Sequence, residues 1–171
     1  MILRIGYGFD SHEFRPGIPL KIGGIVLAHD RGLGGHSDGD VLLHAITDAL
    51  LGAVAGPDIG ALFPPSDPKW KGADSVVFLR EALKRVHDAG YGVANIDASL
   101  ILAAPRIGPH ATAIRVRMAK LLGVRADCVG LKAKTPEGLN LENAAVAHVV
   151  VLLEKRSPKA GKKTKRKTKR R

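Results

Sequence analysis

Residues 38–55, DGDVLLHAITDALLGAVA, change the period of the chain. Leu42, Leu43, Ile46, Leu50, Leu51 and Val54 recur there at helical spacing, which predicts an amphipathic helix with Ser37 or Asp38 available as its N-cap. What precedes it has a shorter period. Residues 2–9, ILRIGYGF, alternate apolar side chains with others and read as a strand ending at Asp10, while residues 19–22 and 25–28 read as a hairpin around Gly23-Gly24. Residues 56–72 carry four prolines and read as a mobile loop. Beyond it, Asp74 or Ser75 caps a second helix that runs to Ala89, with Gly90 past its end. Residues 93–104 read as a strand, Pro109 opens a third helix that stops at Gly123, and residues 129–135 and 145–153 read as two more strands. Helices and strands mixed in this order predict an α+β fold, a mixed β-sheet with helices packed on one face.

The chain has 171 residues and 45% apolar content, enough for one domain with a proper core. Its one cysteine, Cys128, excludes an internal disulfide and any Cys₄ or Cys₂His₂ zinc module, and suits a reducing compartment. The formal charge of +11 belongs to one end: residues 155–171 hold 11 of the 27 basic residues and no acid, leaving 16 basic and 16 acidic residues in 1–154. Residues 1–154 therefore read as the folded domain, and 155–171 as a disordered, solvated tail that touches nucleic acid at most non-specifically. Arg4 and Asp10 interrupt any leader-like apolar start, and residues 144–153 are about half of the ~20 needed to cross a bilayer. The composition reads as a soluble cytoplasmic protein.

Asp10 and His12 are two residues apart, so in extended backbone they point to the same side and can converge on one ion. Asp40, His44 and Asp48 share one helical stripe. Either a solvated acidic face or a metal-ligating histidine with a carboxylate neighbour explains that stripe, and only the second requires the histidine. Asp10, His12 and His44 together make an N/N/O set of the catalytic zinc type, with a fourth position open for a phosphate oxygen. Beside it, the helix start at residues 37–39 offers backbone N–H groups to an anion. Lys132, Lys134, Thr135 and Glu137 sit at a strand end, where Glu137 could hold a hard cation such as Mg²⁺ or where the segment is an ordinary strand-to-turn transition. Leu102, Ala103, Ala104, Pro105, Arg106, Ile107 and Gly108 make a rigid loop able to receive a flat base. From the residues alone, a zinc phosphohydrolase using a metal-bound water and a nucleic-acid-binding protein acting through its tail remain alternatives.

Read in order, GYGFDSH (6–12), HSDGD (36–40) with His44, DIG (58–60), LFPPSDP (62–68) and KAKT (132–135) resemble the 2-C-methyl-D-erythritol 2,4-cyclodiphosphate synthases of the non-mevalonate isoprenoid pathway. The resemblance covers residues 3–153. It implies a phosphorus-oxygen lyase that cyclises 4-diphosphocytidyl-2-C-methyl-D-erythritol 2-phosphate and releases CMP, working as a homotrimer with active sites between subunits. It further implies that Asp10, His12 and His44 bind Zn²⁺ and that Glu137 ligates a second divalent ion, Mg²⁺ or Mn²⁺. By the same resemblance His36 and Thr135 act on the diphosphate. Substrate contacts extend to Ser11, Ser37, Asp58, Ile59, Gly60, Phe63, Pro64, Pro65, Ser66 and Asp67, and to residues 102–108 with Lys134, Thr135 and Pro136 on a neighbouring subunit. Leu141 and Ala144 stand where many relatives carry an aromatic residue and an arginine, so binding of isoprenoid diphosphates on the trimer axis is not expected.

Overall fold

The first strand runs past Asp10. In the computed structural model, which describes residues 2–156, β1 (Leu3–Pro16) pairs antiparallel with β7 (Ala144–Lys155) from Leu3 opposite Glu154 to Glu13 opposite Ala144. Its last residues, Phe14 to Pro16, then pair with β4 (Arg31–Leu33). The hairpin is present as β2 (Leu20–Ile22) and β3 (Ile25–Leu27). On the other flank β7 pairs antiparallel with β5 (Tyr91–Leu102), and β5 pairs parallel with β6 (Val129–Lys134). The five-stranded order is β4-β1-β7-β5-β6. This is the α+β mixed sheet that the element order predicts.

Four helices follow the same chain order: α1 (Val41–Ala53), α2 (Ile59–Leu62), α3 (Ser75–Asp88) and α4 (Ala111–Leu122). They pack on one face of the sheet, and α1 lies directly over β1 and β7. Gly6 and Gly8 make that approach possible. A Cβ on Gly6 would stand 1.8 Å from the Ala49 carbonyl oxygen, and one on Gly8 would stand 1.9 Å from that of Ala45. The segment 56–72, which reads as loop from its prolines, contains α2 and a short 3₁₀ turn at Pro68–Trp70. Pro109 likewise lies in a 3₁₀ turn, Gly108–His110, so α4 begins at Ala111. None of the described helices is long and apolar enough to cross a membrane.

The N-cap of α1 is Asp40, not Ser37 or Asp38. Asp40 is fully buried and accepts from Leu43 N at 3.0 Å, and it also takes Gly23 N at 2.9 Å and Gly24 N at 2.6 Å. One carboxylate thus ties the helix start to the β2–β3 turn. Burial raises its pKa against the opposing pull of those three N–H groups. Asp40→Ala leaves all three donors without their acceptor and is expected to cost roughly 2–3 kcal/mol, read from urea unfolding of the metal-free protein.

Helices cover the inward side of β1 and β7, whereas the outward side is apolar and bare. Ile5, Tyr7 and Phe9 are 71%, 58% and 49% exposed, and Val150 opposite Tyr7 is 45% exposed. Tyr7 and His148 hydrogen-bond across this face at 2.9 Å. β7 extends through Lys155, and Arg156 N donates to Gly90 O at 2.9 Å. The reading of a solvated tail otherwise falls on residues 157–171, outside those described.

Candidate metal centre and active site

Alternation along β1 turns Gly6, Gly8, Asp10 and His12 toward the helical layer, and α1, resting on the two glycines, brings His44 down onto the next two. Asp10 Oδ2 lies 2.9 Å from His12 Nε2 and 3.0 Å from His44 Nδ1, and the two ring nitrogens are 3.0 Å apart. The three atoms form a nearly equilateral triangle. Hydrogen bonds alone serve it poorly, because protons on both ring nitrogens would crowd one another around a single oxygen. A cation suits it better: bonds of about 2.0–2.1 Å meeting at tetrahedral angles set ligand atoms roughly 3.3 Å apart. The donor set, one carboxylate and two imidazoles, fits zinc. Among the described residues this is the one group of three or more His, Cys, Asp or Glu close enough to hold an ion.

Burial opposes the charge on Asp10, but hydrogen bonding and electrostatic interaction with His12 and His44 outweigh it and lower its pKa to about 2. The far side of the His44 ring is also engaged. Its Nε2 lies 2.9 Å from Ser37 Oγ and 2.9 Å from Ser75 Oγ. The Ser75 hydroxyl donates to Asp38 Oδ1, and Lys21 Nζ donates to Asp38 Oδ2 at 2.9 Å. Burial again opposes ionisation, yet bonds from Ser75 and Lys21 hold Asp38 below the usual carboxylate range.

The helical stripe pointed to Asp40 or Asp48 as the partner of His44, and the structure corrects this. Asp40 is spent on capping, while Asp48 accepts from Ile59 N at 2.8 Å. Burial, with the nearby carboxylates Asp58 and Asp10, raises the Asp48 pKa. The stripe is not a solvated face either: Asp40 is fully buried, and α1 is buried around nearly its whole circumference. Nor is the helix start open to an anion in the way its position suggests, because Asp38 N–H donates to Ala73 O at 3.0 Å and Asp40 caps the first turn.

Two separate cavities receive most of the remaining candidates. One, of about 140 Å³, has His12 and His44 in its wall with His36, Ser37, Ile59 and Gly60. His36 reaches Asp67 O through Nε2 at 3.3 Å, and Asp58 caps α2 by accepting from Ala61 N at 2.7 Å. Phe63 closes the cavity together with Trp70 and Phe78, its ring 4.9 Å and 4.5 Å from theirs. Pro64, Pro65 and Ser66 are exposed beside it, and Asp67 caps the turn at Pro68–Trp70. The other cavity, of about 520 Å³, is walled by Leu102, Ala103 and Pro105 to Gly108 on one side and by Lys134 and Thr135 on the other. Ala104 lies outside that wall and is exposed, and Pro136 is buried. Glu137 is exposed and accepts from the Thr135 hydroxyl. Ser11 alternates to the side opposite Asp10 and His12. Within one chain, then, His36 and Thr135 belong to different cavities.

The spacing marks none of Trp70, Phe78, Ser75 and Asp38 as neighbours of the metal centre: Ser75 reads only as a helix-cap candidate. Trp70 falls in the proline-rich stretch 56–72 and Phe78 inside the second helix, and nothing in the spacing joins Ser75 to a histidine 31 residues earlier.

The sequence profile of the YgbB family matches residues 3–154, from the start of β1 to the penultimate residue of β7. The chain belongs to the YgbB family. It is 69% identical over 155 residues to a relative named 2-C-methyl-D-erythritol 2,4-cyclodiphosphate synthase from Koribacter versatilis (strain Ellin345), which covers 91% of this chain and 100% of the relative. A chloroplastic protein of the same name from Arabidopsis thaliana is 56% identical over 156 residues, covering 90% of this chain and 68% of its own. Among solved structures, a 2C-methyl-D-erythritol-2,4-cyclodiphosphate synthase in a CDP-bound form matches with a TM-score of 0.84 at 44% identity, over 88% of this chain and 100% of that one. This YgbB member thus shares its fold with that solved synthase over 88% of its chain.

Proposed function

We propose that this chain cyclises 4-diphosphocytidyl-2-C-methyl-D-erythritol 2-phosphate to 2-C-methyl-D-erythritol 2,4-cyclodiphosphate and releases CMP, a phosphorus-oxygen lyase step of non-mevalonate isoprenoid biosynthesis. The observation that carries the proposal is the Asp10, His12 and His44 triangle, whose two histidines line a cavity, in a chain 69% identical to a protein of that name. An oxygen of the 2-phosphate forms a bond to the β-phosphorus, the bond from that phosphorus to the bridging oxygen breaks, and CMP departs with the electron pair. No water is consumed.

Zinc held by Asp10, His12 and His44 supplies Lewis-acid neutralisation of phosphate charge. The chain's own residues do the rest by placement. His36 and Ser37 hold phosphate oxygens at the cavity mouth, while Asp58, Ile59 and Gly60 hold the methylerythritol. Phe63, with the exposed run from Pro64 to Ser66 and the half-buried Asp67, shields that end from water. Residues 102–108 with Lys134, Thr135 and Pro136 hold the cytidine diphosphate, and Glu137 beside them holds a second divalent ion, Mg²⁺ or Mn²⁺. Fixing both reacting groups of one molecule is enough for a large acceleration, which explains why no side-chain nucleophile is needed.

His36 and Thr135 must act on one substrate, yet they line different cavities of a single chain. The site is completed by a neighbouring copy in a homotrimer. The bare outward face of β1 and β7, with Ile5, Tyr7, Phe9 and Val150, is the apolar surface such an assembly would bury. Residues 1–154 are the catalytic domain, and the single cysteine suits a cytoplasmic setting.

Mass spectrometry of the products tests the reaction. Purified protein with the cytidine-diphosphate substrate and Mg²⁺ is expected to yield CMP and a second product lacking an added water, and a zinc chelator is expected to stop both. A hydrated, linear second product would instead make the protein a phosphohydrolase.

A further inference from the structure

The two ring nitrogens of His44 face different surroundings, and those surroundings decide where its one neutral-state proton resides. Nδ1 is a corner of the triangle. Nε2 points away from it toward Ser75, the first residue of α3, which is fully buried. A hydroxyl has a single proton, and that of Ser75 is committed to Asp38, because a carboxylate held by Lys21 can only accept. Ser75 Oγ therefore presents a lone pair to His44 at 2.9 Å. Ser75 thus draws the imidazole proton toward Nε2, against Asp10 Oδ2, which at 3.0 Å from Nδ1 competes for it; a proton held on Nε2 leaves the Nδ1 lone pair free for a cation at the triangle. Two backbone bonds stiffen the arrangement, Asp38 N to Ala73 O at 3.0 Å and Gly72 N to His36 O at 2.7 Å, which tie the 36–38 segment to the chain entering α3.

We propose that Ser75 and Asp38 are positioning residues for the metal centre: the hydrogen-bonded chain Lys21–Asp38–Ser75–His44 fixes the tautomer and the ring angle that offer Nδ1 to zinc. The proposal deepens the functional reading above and rests on its assignment of the Asp10, His12 and His44 triangle to zinc. Histidine ligands are commonly oriented by a carboxylate. Here a buried serine carries that effect from α3 into α1. Ser37 also lies 2.9 Å from Nε2, but among the described residues its hydroxyl has no second partner, so it adapts to either tautomer and dictates neither.

Zinc affinity of the full-length protein, read by competition with a chromophoric chelator at neutral pH, provides the test. Ser75→Ala and Asp38→Asn are each expected to weaken zinc binding roughly 10–100-fold. In Asp38→Asn the new amide can donate to Ser75, whose proton then turns toward His44 and favours the wrong tautomer. The double variant should be little weaker than the weaker single, since both changes break one chain. Ser37→Ala should change affinity much less. An independent readout uses the wild type alone: long-range ¹H–¹⁵N correlation in the metal-free protein, at a pH where the ring is neutral, is expected to place the His44 proton on Nε2, toward Ser75 and away from Asp10.

A proton on Nδ1 would overturn the proposal, and so would wild-type zinc affinity in both variants with metal-free melting unchanged. If the variants do not fold, the nitrogen assignment in the wild type decides. Failure of the wild type itself to bind zinc would overturn the metal reading beneath it, a result distinct from tight binding with an indifferent Ser75.

Discussion

Replacing His44 by alanine is expected to abolish turnover while leaving the fold in place. The ring supplies one corner of the ligand triangle, and no neighbouring carboxylate can take that corner, since Asp40 is held by three backbone N–H groups and Asp48 by Ile59 N. Two ligands, Asp10 and His12, would remain. Metal polarisation of phosphate oxygen supplies several kcal/mol of transition-state stabilisation, so kcat is expected to fall at least about 10³-fold. The structural cost is smaller. The His44 and Phe78 rings are tilted to one another with centroids 6.0 Å apart, but the apolar packing of α1 comes from Leu42, Leu43, Ile46, Leu50 and Leu51, all of which stay. A loss of about 1–3 kcal/mol is expected. Product formation, zinc content and far-UV circular dichroism on one preparation check all three statements. An unfolded variant would mean that the metal's chief contribution is structural, and near-normal turnover would remove the metal from the chemistry.

The sequence revealed the parts of this site that lie close together in the chain. Asp10 and His12 show through the two-residue period of a strand, and His44 shows through the contrast between its polarity and the leucines around it. The strand's continuation past Asp10 was hidden because Asp10, Ser11 and His12 end the apolar alternation. Pairing with β7 out to Glu13 keeps the backbone extended regardless. β4, only Arg31–Leu33, is too short to show any period and exists because Phe14 to Pro16 need partners. The α1 cap was placed two or three residues early, since Asp38 and Asp40 look equivalent locally. Only the tertiary fold separates them, sending Asp38 to Lys21 and Ser75 and sending Asp40 to the β2–β3 turn. Ser75 reads locally only as a candidate helix cap, because its partner His44 is set by the packing of α3 on α1, which no local pattern encodes.

Gly8 offers the sharpest test of how the metal centre is built, because an opposite result is expected from the same substitution on the helix that packs against it. In Gly8→Ala the added methyl would lie 1.9 Å from the Ala45 carbonyl oxygen and 2.7 Å from Ala49 N. Both atoms are helix backbone, so no side-chain rotation relieves the clash and α1 must lift from β1. Overpacking usually costs about 1–3 kcal/mol, and a clash against backbone lies above that range. His44 follows Leu43 and precedes Ala45 on the displaced helix, whereas Asp10 stays with the strand, so the ligand triangle opens and zinc binding weakens with stability. Gly52→Ala puts a methyl on the same helix, where the nearest atom is Tyr7 O at 3.9 Å. There the smaller backbone entropy of alanine is expected to stabilise the protein by about 0.5–1 kcal/mol with zinc affinity unchanged. Urea unfolding of the metal-free proteins and chelator competition on the folded ones measure both. A Gly8→Ala protein with wild-type stability and zinc affinity would show that helix–strand contact is not what sets the distance from His44 to Asp10 and His12.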